Sequence, residues 1–166
     1  IEVIASQQAY AGSASMSEKL NIEDIVNDAL NMEIAILENR GIVIHKNMNP
    51  HFARVDKTKL VHIILNLINN ANDAMVNTPK SKRQLSFDLF SQDNHAYLKV
   101  SDSGCGISSV NLNNIFAHGF TTKKDGHGFG LHSCANYMTE MNGKLYVESK
   151  GVDQGATFTL VFQQDA

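Results

Sequence analysis

Six of the 11 glycines in this 166-residue chain, Gly104, Gly106, Gly119, Gly126, Gly128 and Gly130, fall in one stretch that also carries Thr121, Thr122 and Lys123. Glycine reaches backbone conformations closed to other residues and lets a main chain approach a ligand, so this clustering marks one special loop. The prolines are Pro50 and Pro79 alone, which leaves regular structure to bracket that loop. With 43% hydrophobic and 19% charged residues the chain has the make-up of one ordinary globular domain, and disordered and fibrous classes are excluded. Fourteen basic against 17 acidic residues give a formal charge of −3, which argues against a nucleic-acid partner. No apolar run approaches the ~20 residues of a membrane-spanning helix and no signal segment opens the chain, so a soluble, cytoplasmic piece is expected. Cys105 and Cys134 stand in no Cys-x-x-Cys or Cys/His cluster, which argues against a disulfide framework or a structural zinc.

Residues 1–19 grade from weakly apolar to small and polar. They read as the tail of an upstream helix plus a linker, with a boundary near Ser17 and the domain itself over 20–166. From Asn21, an N-cap with Glu23 and Asp24 in the first turn, the residues Ile22, Ile25, Val26, Ala29, Leu30, Ile36 and Leu37 fit one helical face until Gly41 ends it. Ile42, Val43 and Ile44 form a short strand, followed by a turn at Asn49 and Pro50. Asp56 caps a second helix whose Leu60, Ile63, Ile64, Leu67, Ile68, Ala71 and Met75 recur at helical spacing. Leu85, Phe87 and Leu89, then Ala96, Leu98 and Val100, alternate with polar neighbours and predict a hairpin across Asn94. A third helix over 129–141 with Gly143 at its end, and strands over 144–149 and 156–162, complete the order. That order predicts an α/β fold: a two-layer α/β sandwich, a mixed sheet with helices packed on one face and a glycine-rich lid.

Asn66 and Asn70 are four apart, so both emerge on one face of the second helix; His62 extends the stripe, and Asp73 lies three residues after Asn70. A solvated helix face is the plain alternative. Residue type argues against it, because Asn is a mediocre helix former, yet Asn66, Asn69, Asn70 and Asn72 crowd the segment. Amide oxygens are hard ligands suited to Mg²⁺, which keeps several waters and shares its coordination with phosphates. Asp102 closes a strand and is followed by Gly104 and Gly106. A carboxylate there can accept a hydrogen bond from a ligand amine while the glycines admit a flat ring, although an acidic β-turn explains so short a pattern equally well. Gly126, Gly128 and Gly130 in GHGFGL lead into a helix, whose N–H groups and dipole favour an anion, and Lys123 adds a cation. The glycine spacing and the preceding long loop exclude a Rossmann reading, and the lack of Gly-Lys-Ser/Thr excludes a Walker P-loop.

The ordered set is more specific than any one motif. NLINNANDAM resembles the N box of the gyrase and histidine-kinase ATPase superfamily, the Bergerat fold; DSGCGI resembles its first glycine box, GHGFGL its second and GATFTLVF the closing one, while IFAHGFTTK resembles the F box of sensor histidine kinases. The resemblance implies that Asn70 is the Mg²⁺ ligand and that Asn66, one turn earlier, helps hold metal and phosphate. It implies that Asp102 reads the adenine amino group of ATP in a pocket shaped by Gly104 and Gly106 and lined by Ile107. Phe116 and Phe120 would belong to the lid. Thr121, Thr122 and Lys123 would approach the phosphates, Gly126, His127, Gly128, Phe129 and Gly130 would close over them, and Leu131 would begin the helix. Asp73 and Thr157 are further nucleotide-contacting candidates, and Asn66, Asn70 and Lys123 are the catalytic ones. At the closing box the family often has Thr or Ser directly after the glycine, where this chain has Ala156 with Thr157 next; successive strand residues face opposite sides, which counts against Thr157 as a substitute.

ATP-hydrolysing relatives resemble one another in carrying Glu at the position of Asn66, poised as a base for water. An amide accepts no proton from attacking water, so the site resembles one that holds ATP until an acceptor arrives. None of the seven histidines stands in the His-Glu-then-Pro context of a phosphoacceptor. The resemblance therefore implies the ATP-binding catalytic domain of a sensor histidine kinase. Its partners would be the dimerisation and phosphoacceptor domain of the same protein, whose end residues 1–19 would form, and a response regulator receiver domain. The parent is expected to be a homodimer, with an inner-membrane anchor elsewhere in it left open. A Ser-directed anti-sigma kinase, a freestanding gyrase-like ATPase and an ATP-sensing interaction module share the same boxes.

Overall fold

The computed structural model describes residues 16–115 and 130–165. In chain order the elements are β1 (Ser17–Asn21), α1 (Ile22–Asn39), β2 (Val43–Met48), β3 (Phe52–Asp56), α2 (Lys57–Ala74), β4 (Gln84–Gln92), β5 (His95–Asp102), a short α3 (Ser109–Leu112), α4 (Gly130–Glu140), β6 (Lys144–Glu148) and β7 (Ala156–Gln163). Both long helices start on the expected caps. The Asn21 side chain accepts from the Glu23 amide at 3.2 Å, and Asp56 accepts from the Lys59 amide at 3.2 Å, each satisfying a donor that the first turn leaves orphaned. Gly41 ends α1 at φ +72°, a left-handed conformation that a Cβ would oppose.

Five strands form one mixed sheet in the order β2-β4-β5-β7-β6, with β2 parallel to β4 and the other pairs antiparallel. The β4–β5 hairpin turns through Asp93 and Asn94, both at positive φ, which Asp and Asn tolerate better than most residues. Leu85, Phe87 and Leu89 of β4, Ala96, Leu98 and Val100 of β5, and Phe158, Leu160 and Phe162 of β7 are all buried. They join Ile22, Val26 and Leu30 of α1, Leu60, Ile64 and Leu67 of α2, and Cys134 and Met138 of α4 in a single apolar cluster. The helices thus pack on one face of the sheet, as alternation in the strands and 3.6-residue spacing in the helices require.

The structure corrects the sequence reading at the front of the domain. Residues 17–19, read as linker, belong to β1, which pairs antiparallel with β3 from Ser17↔Asp56 to Asn21↔Phe52 in a separate two-stranded ladder. Ser17, Glu18 and Lys19 are exposed, so nothing alternates to signal a strand; the main-chain ladder holds it, together with Leu20 on the core and the Lys19 ammonium 5.9 Å from the Phe52 ring centre. Gly143 also has a different reason to be glycine. Asn142 takes the left-handed conformation, at φ 60°, and a Cβ on Gly143 would press on the Val161 carbonyl and the Met138 side chain. No helix among the described residues is long and apolar enough to cross a membrane.

Candidate functional site

Asn66, Asn70 and Asp73 share the α2 face that looks toward α4. Three contacts define that meeting: the Lys59 Nζ to Glu140 carboxylate ion pair at 2.7 Å, the His62 and Tyr137 rings edge-on at 5.3 Å, and Gly130 over Asn66. Asn66 donates its amide to the His62 carbonyl at 3.0 Å, which fixes the rotamer and turns Oδ1 toward the start of α4. A Cβ on Gly130 would sit 2.8 Å from that oxygen, so glycine at the helix start is what lets α4 seat against Asn66. Leu131 packs against the core beside it. Asn66 and Asn70 are half-buried, Asp73 and Asn69 are exposed, and Asn72 is buried on a different face. The stripe therefore offers two half-buried amides and one carboxylate. Such a donor set fits a Mg²⁺ that retains water and shares substrate phosphates.

At the end of β5, the Asp102 carboxylate accepts from the Gly104 amide at 2.8 Å and from the amide of Ala156, its register partner on β7. Burial pushes its pKa up from 3.8 to about 6, against the opposing pull of those two amides. The loop that follows is wedged against the end of α2: Cys105 donates to the Ala74 carbonyl at 2.9 Å, and a Cβ on Gly104 would overlap that same carbonyl. The loop after Asp102 is thereby held against the C-terminal end of the helix that carries the Asn stripe. Gly106 takes φ +68° with the Gly151 carbonyl where its Cβ would be, so two separate constraints require glycine there. Ile107 is half-buried and packs against the core.

Thr157 is corrected. Because Ser101 pairs with Thr157 and Asp102 with Ala156, Thr157 lies on the opposite face of the sheet, where its hydroxyl meets that of Ser101 at 2.9 Å. It does not back Asp102. Phe116, Phe120, Thr121, Thr122, Lys123, Gly126, His127, Gly128 and Phe129 lie outside the described residues. Cys134 is buried, its thiol pushed up to about 12 by burial. Cys105 is exposed, yet partial burial and then the negative charges of Asp102 and Asp153 raise its pKa, so reactive thiolate is scarce.

Sequence reasoning missed three residues that build this site. Ser103 Oγ accepts from the Gln84 amide at 2.9 Å and donates to the Lys82 carbonyl at 2.6 Å, fixing the start of the Asp102 loop. Arg83 donates to the carbonyls of Thr78, Arg40 and Val76 at 2.8, 2.9 and 3.0 Å, tying down the ends of α1 and α2. Ser149 accepts from the Ile107 amide at 3.0 Å. All three act across long sequence separations, and no local pattern announces them. A polar cavity of 480 Å³ lies elsewhere, bordered by Arg54, Lys59, Glu140 and Asp165, and none of the described site residues lines it.

The chain matches the family described as histidine kinase-, DNA gyrase B-, and HSP90-like ATPase over residues 55–166. It is 31% identical over 149 residues to the sensor histidine kinase ZraS of Salmonella typhimurium, a match covering 86% of this chain and 30% of that protein. The chain thus spans under a third of that curated relative. Among solved structures, the catalytic domain of histidine kinase ThkA in a nucleotide-free form superposes with a TM-score of 0.78 at 20% identity, covering 90% of this chain and 97% of that one. Full-length ShkA in complex with AMPPNP superposes with a TM-score of 0.76 at 21% identity, covering 91% of this chain and 32% of that one.

Proposed function

The chain belongs to the histidine kinase-, DNA gyrase B-, and HSP90-like ATPase family and has the fold of histidine kinase catalytic domains, and from that premise we propose that it holds Mg-ATP and presents the γ-phosphate to a histidine on a dimerisation domain of its parent protein, for onward transfer to a response regulator. The observation that supports this reading is the wedge of the Asp102 loop against the end of α2, the helix that carries the amide stripe, so that a carboxylate suited to an amine donor and amides suited to metal and phosphate belong to adjoining elements. Asp102 accepts from the adenine amine, and Gly104 and Gly106 let the ring approach the main chain. Asn70 and Asn66 hold the Mg²⁺, with Asp73 at the end of their stripe. Bound there, the metal neutralises charge on the phosphates. Asn66 is an amide and takes no proton from water, so bound ATP waits for an acceptor. The F-box and second glycine-box resemblance assigns Lys123, Thr121, Thr122, Gly126, His127 and Gly128 to the phosphates. The parent acts as a homodimer, placed in the cytoplasm or on the inner membrane by segments outside this domain.

Calorimetric titration with a non-hydrolysable ATP analogue and Mg²⁺ tests the reading. Wild type should bind, and Asp102→Asn should weaken binding by about tenfold or more, the equivalent of one charge-assisted hydrogen bond. Asn70→Asp should alter the Mg²⁺ dependence of binding. No binding by wild type at millimolar analogue would overturn the proposal. Joining the upstream region and following label from γ-labelled ATP then asks for transfer, expected on a histidine.

A further inference from the structure

Ser149 sits just beyond the end of β6, half-buried, with every hydrogen-bonding capacity of its hydroxyl in use. Its oxygen accepts from the Ile107 amide at 3.0 Å and from the Gly151 amide at 3.3 Å, and its proton goes to the Gly155 carbonyl at 2.7 Å. That carbonyl belongs to the peptide group joining Gly155 to Ala156, and the N–H of the same group is the one that meets the Asp102 carboxylate. A peptide group is planar, so holding its oxygen fixes the direction of its N–H. Gly155 in turn donates to the Gly104 carbonyl at 3.1 Å, and Gly104 is the other amide partner of Asp102. At the far end of the loop, the Ile107 amide is tied to the same hydroxyl. One side chain thus anchors both of the loop's ends, which are otherwise joined by main-chain contacts such as Asp153 to the Cys105 carbonyl at 2.6 Å.

We infer that Ser149 is a positioning residue for base selectivity: through the Gly155–Ala156 peptide and the Ile107 amide it sets the direction of the Asp102 carboxylate and the width of the loop against which the base lies. The inference rests on Asp102 reading the adenine amine. A hydroxyl, carbonyl, amide and carboxylate in series also polarise one another, so the loss of the first weakens the hold on the last.

The test compares Mg²⁺ complexes of non-hydrolysable ATP and inosine triphosphate analogues, which differ where the adenine amine is replaced by a carbonyl oxygen. Wild type should prefer the adenine form by tenfold or more, and Asp102→Asn should abolish that preference. Ser149→Ala should cut it at least threefold, Ser149→Thr, which keeps the hydroxyl, should restore it, and Ser149→Cys, a weaker hydrogen-bonding group of similar size, should fall between and serves if the alanine variant does not fold. A merely structural serine would lower thermal stability and weaken both nucleotides alike. That result, or an unchanged ratio in Ser149→Ala beside a collapsed one in Asp102→Asn, would overturn the role of Ser149 alone. A wild type without adenine preference, or an Asp102→Asn that keeps it, would overturn the adenine reading and this inference with it.

Discussion

Replacing Asp102 by Asn should change how stability responds to pH, with a sign opposite to that of an ordinary paired carboxylate. Burial raises the folded pKa of Asp102 to about 6 from 3.8. Between those values the folded state binds more protons at this position than the unfolded state does, so stability falls as pH rises across the window and levels off above it. A rise of about 2.2 units at 1.36 kcal/mol per unit gives about 3 kcal/mol as the ceiling, and solvent contact at this half-buried group brings the expected range to about 1–3 kcal/mol. Asn fills the same volume without the charge. It keeps one oxygen able to accept from the main-chain amides, and the NH2 that replaces the second oxygen carries a fixed cost of about 1 kcal/mol that does not depend on pH. Urea unfolding of both proteins from pH 3.5 to 8 at constant ionic strength isolates the effect, because every other carboxylate cancels in the difference. The variant should gain on wild type by about 1–3 kcal/mol between pH 4 and 7 and then stay level. Nucleotide binding should move the other way: wild-type affinity should drop below pH 6, by as much as tenfold per unit, while the weakly binding variant shows no such dependence. A flat stability difference, or one in which wild type gains as pH rises, would refute the claim that burial dominates at Asp102.

Arg83→Ala strands the carbonyls of Arg40, Val76 and Thr78, so it should cost on the order of 2–3 kcal/mol in urea unfolding. Arg83→Lys should recover less than half of that, since one ammonium cannot span three carbonyls as a planar guanidinium does, and full recovery would disprove the role given to the fork. Gly130→Ala places a methyl 2.8 Å from Asn66 Oδ1, the end of a short side chain that yields at the cost of one hydrogen bond to the His62 carbonyl. Thermal stability should therefore hold or rise slightly, as Ala favours helix over Gly by up to ~1 kcal/mol, while affinity for the Mg²⁺ nucleotide complex falls tenfold or more. Unchanged affinity would show that the seating of α4 on Asn66 does not matter for binding.

How far the sequence reaches depends on whether a feature is local. The caps at Asn21 and Asp56, the apolar faces of α1 and α2 and the turn at Asn94 are decided within a few residues, and each is found where those residues place it. Strands β1 and β3 are not, because they pair with each other across some 30 intervening positions and β1 buries little of its own side chains. The site divides the same way. Asn66 and Asn70 follow from a four-residue spacing, but the groups that surround Asp102 follow from strand register, which no spacing within one strand contains. Once Asp102 lies opposite Ala156, parity alone sends the Thr157 hydroxyl to the far face. The carboxylate is then steadied by main-chain amides, and the direction of those amides passes to whatever holds their peptides. For the Gly155–Ala156 peptide that holder is a serine 47 positions downstream of Asp102 in sequence, with nothing beside it to distinguish it from any other serine before a turn. A short linear motif can specify which group touches the ligand; the group that aims it is specified by the fold.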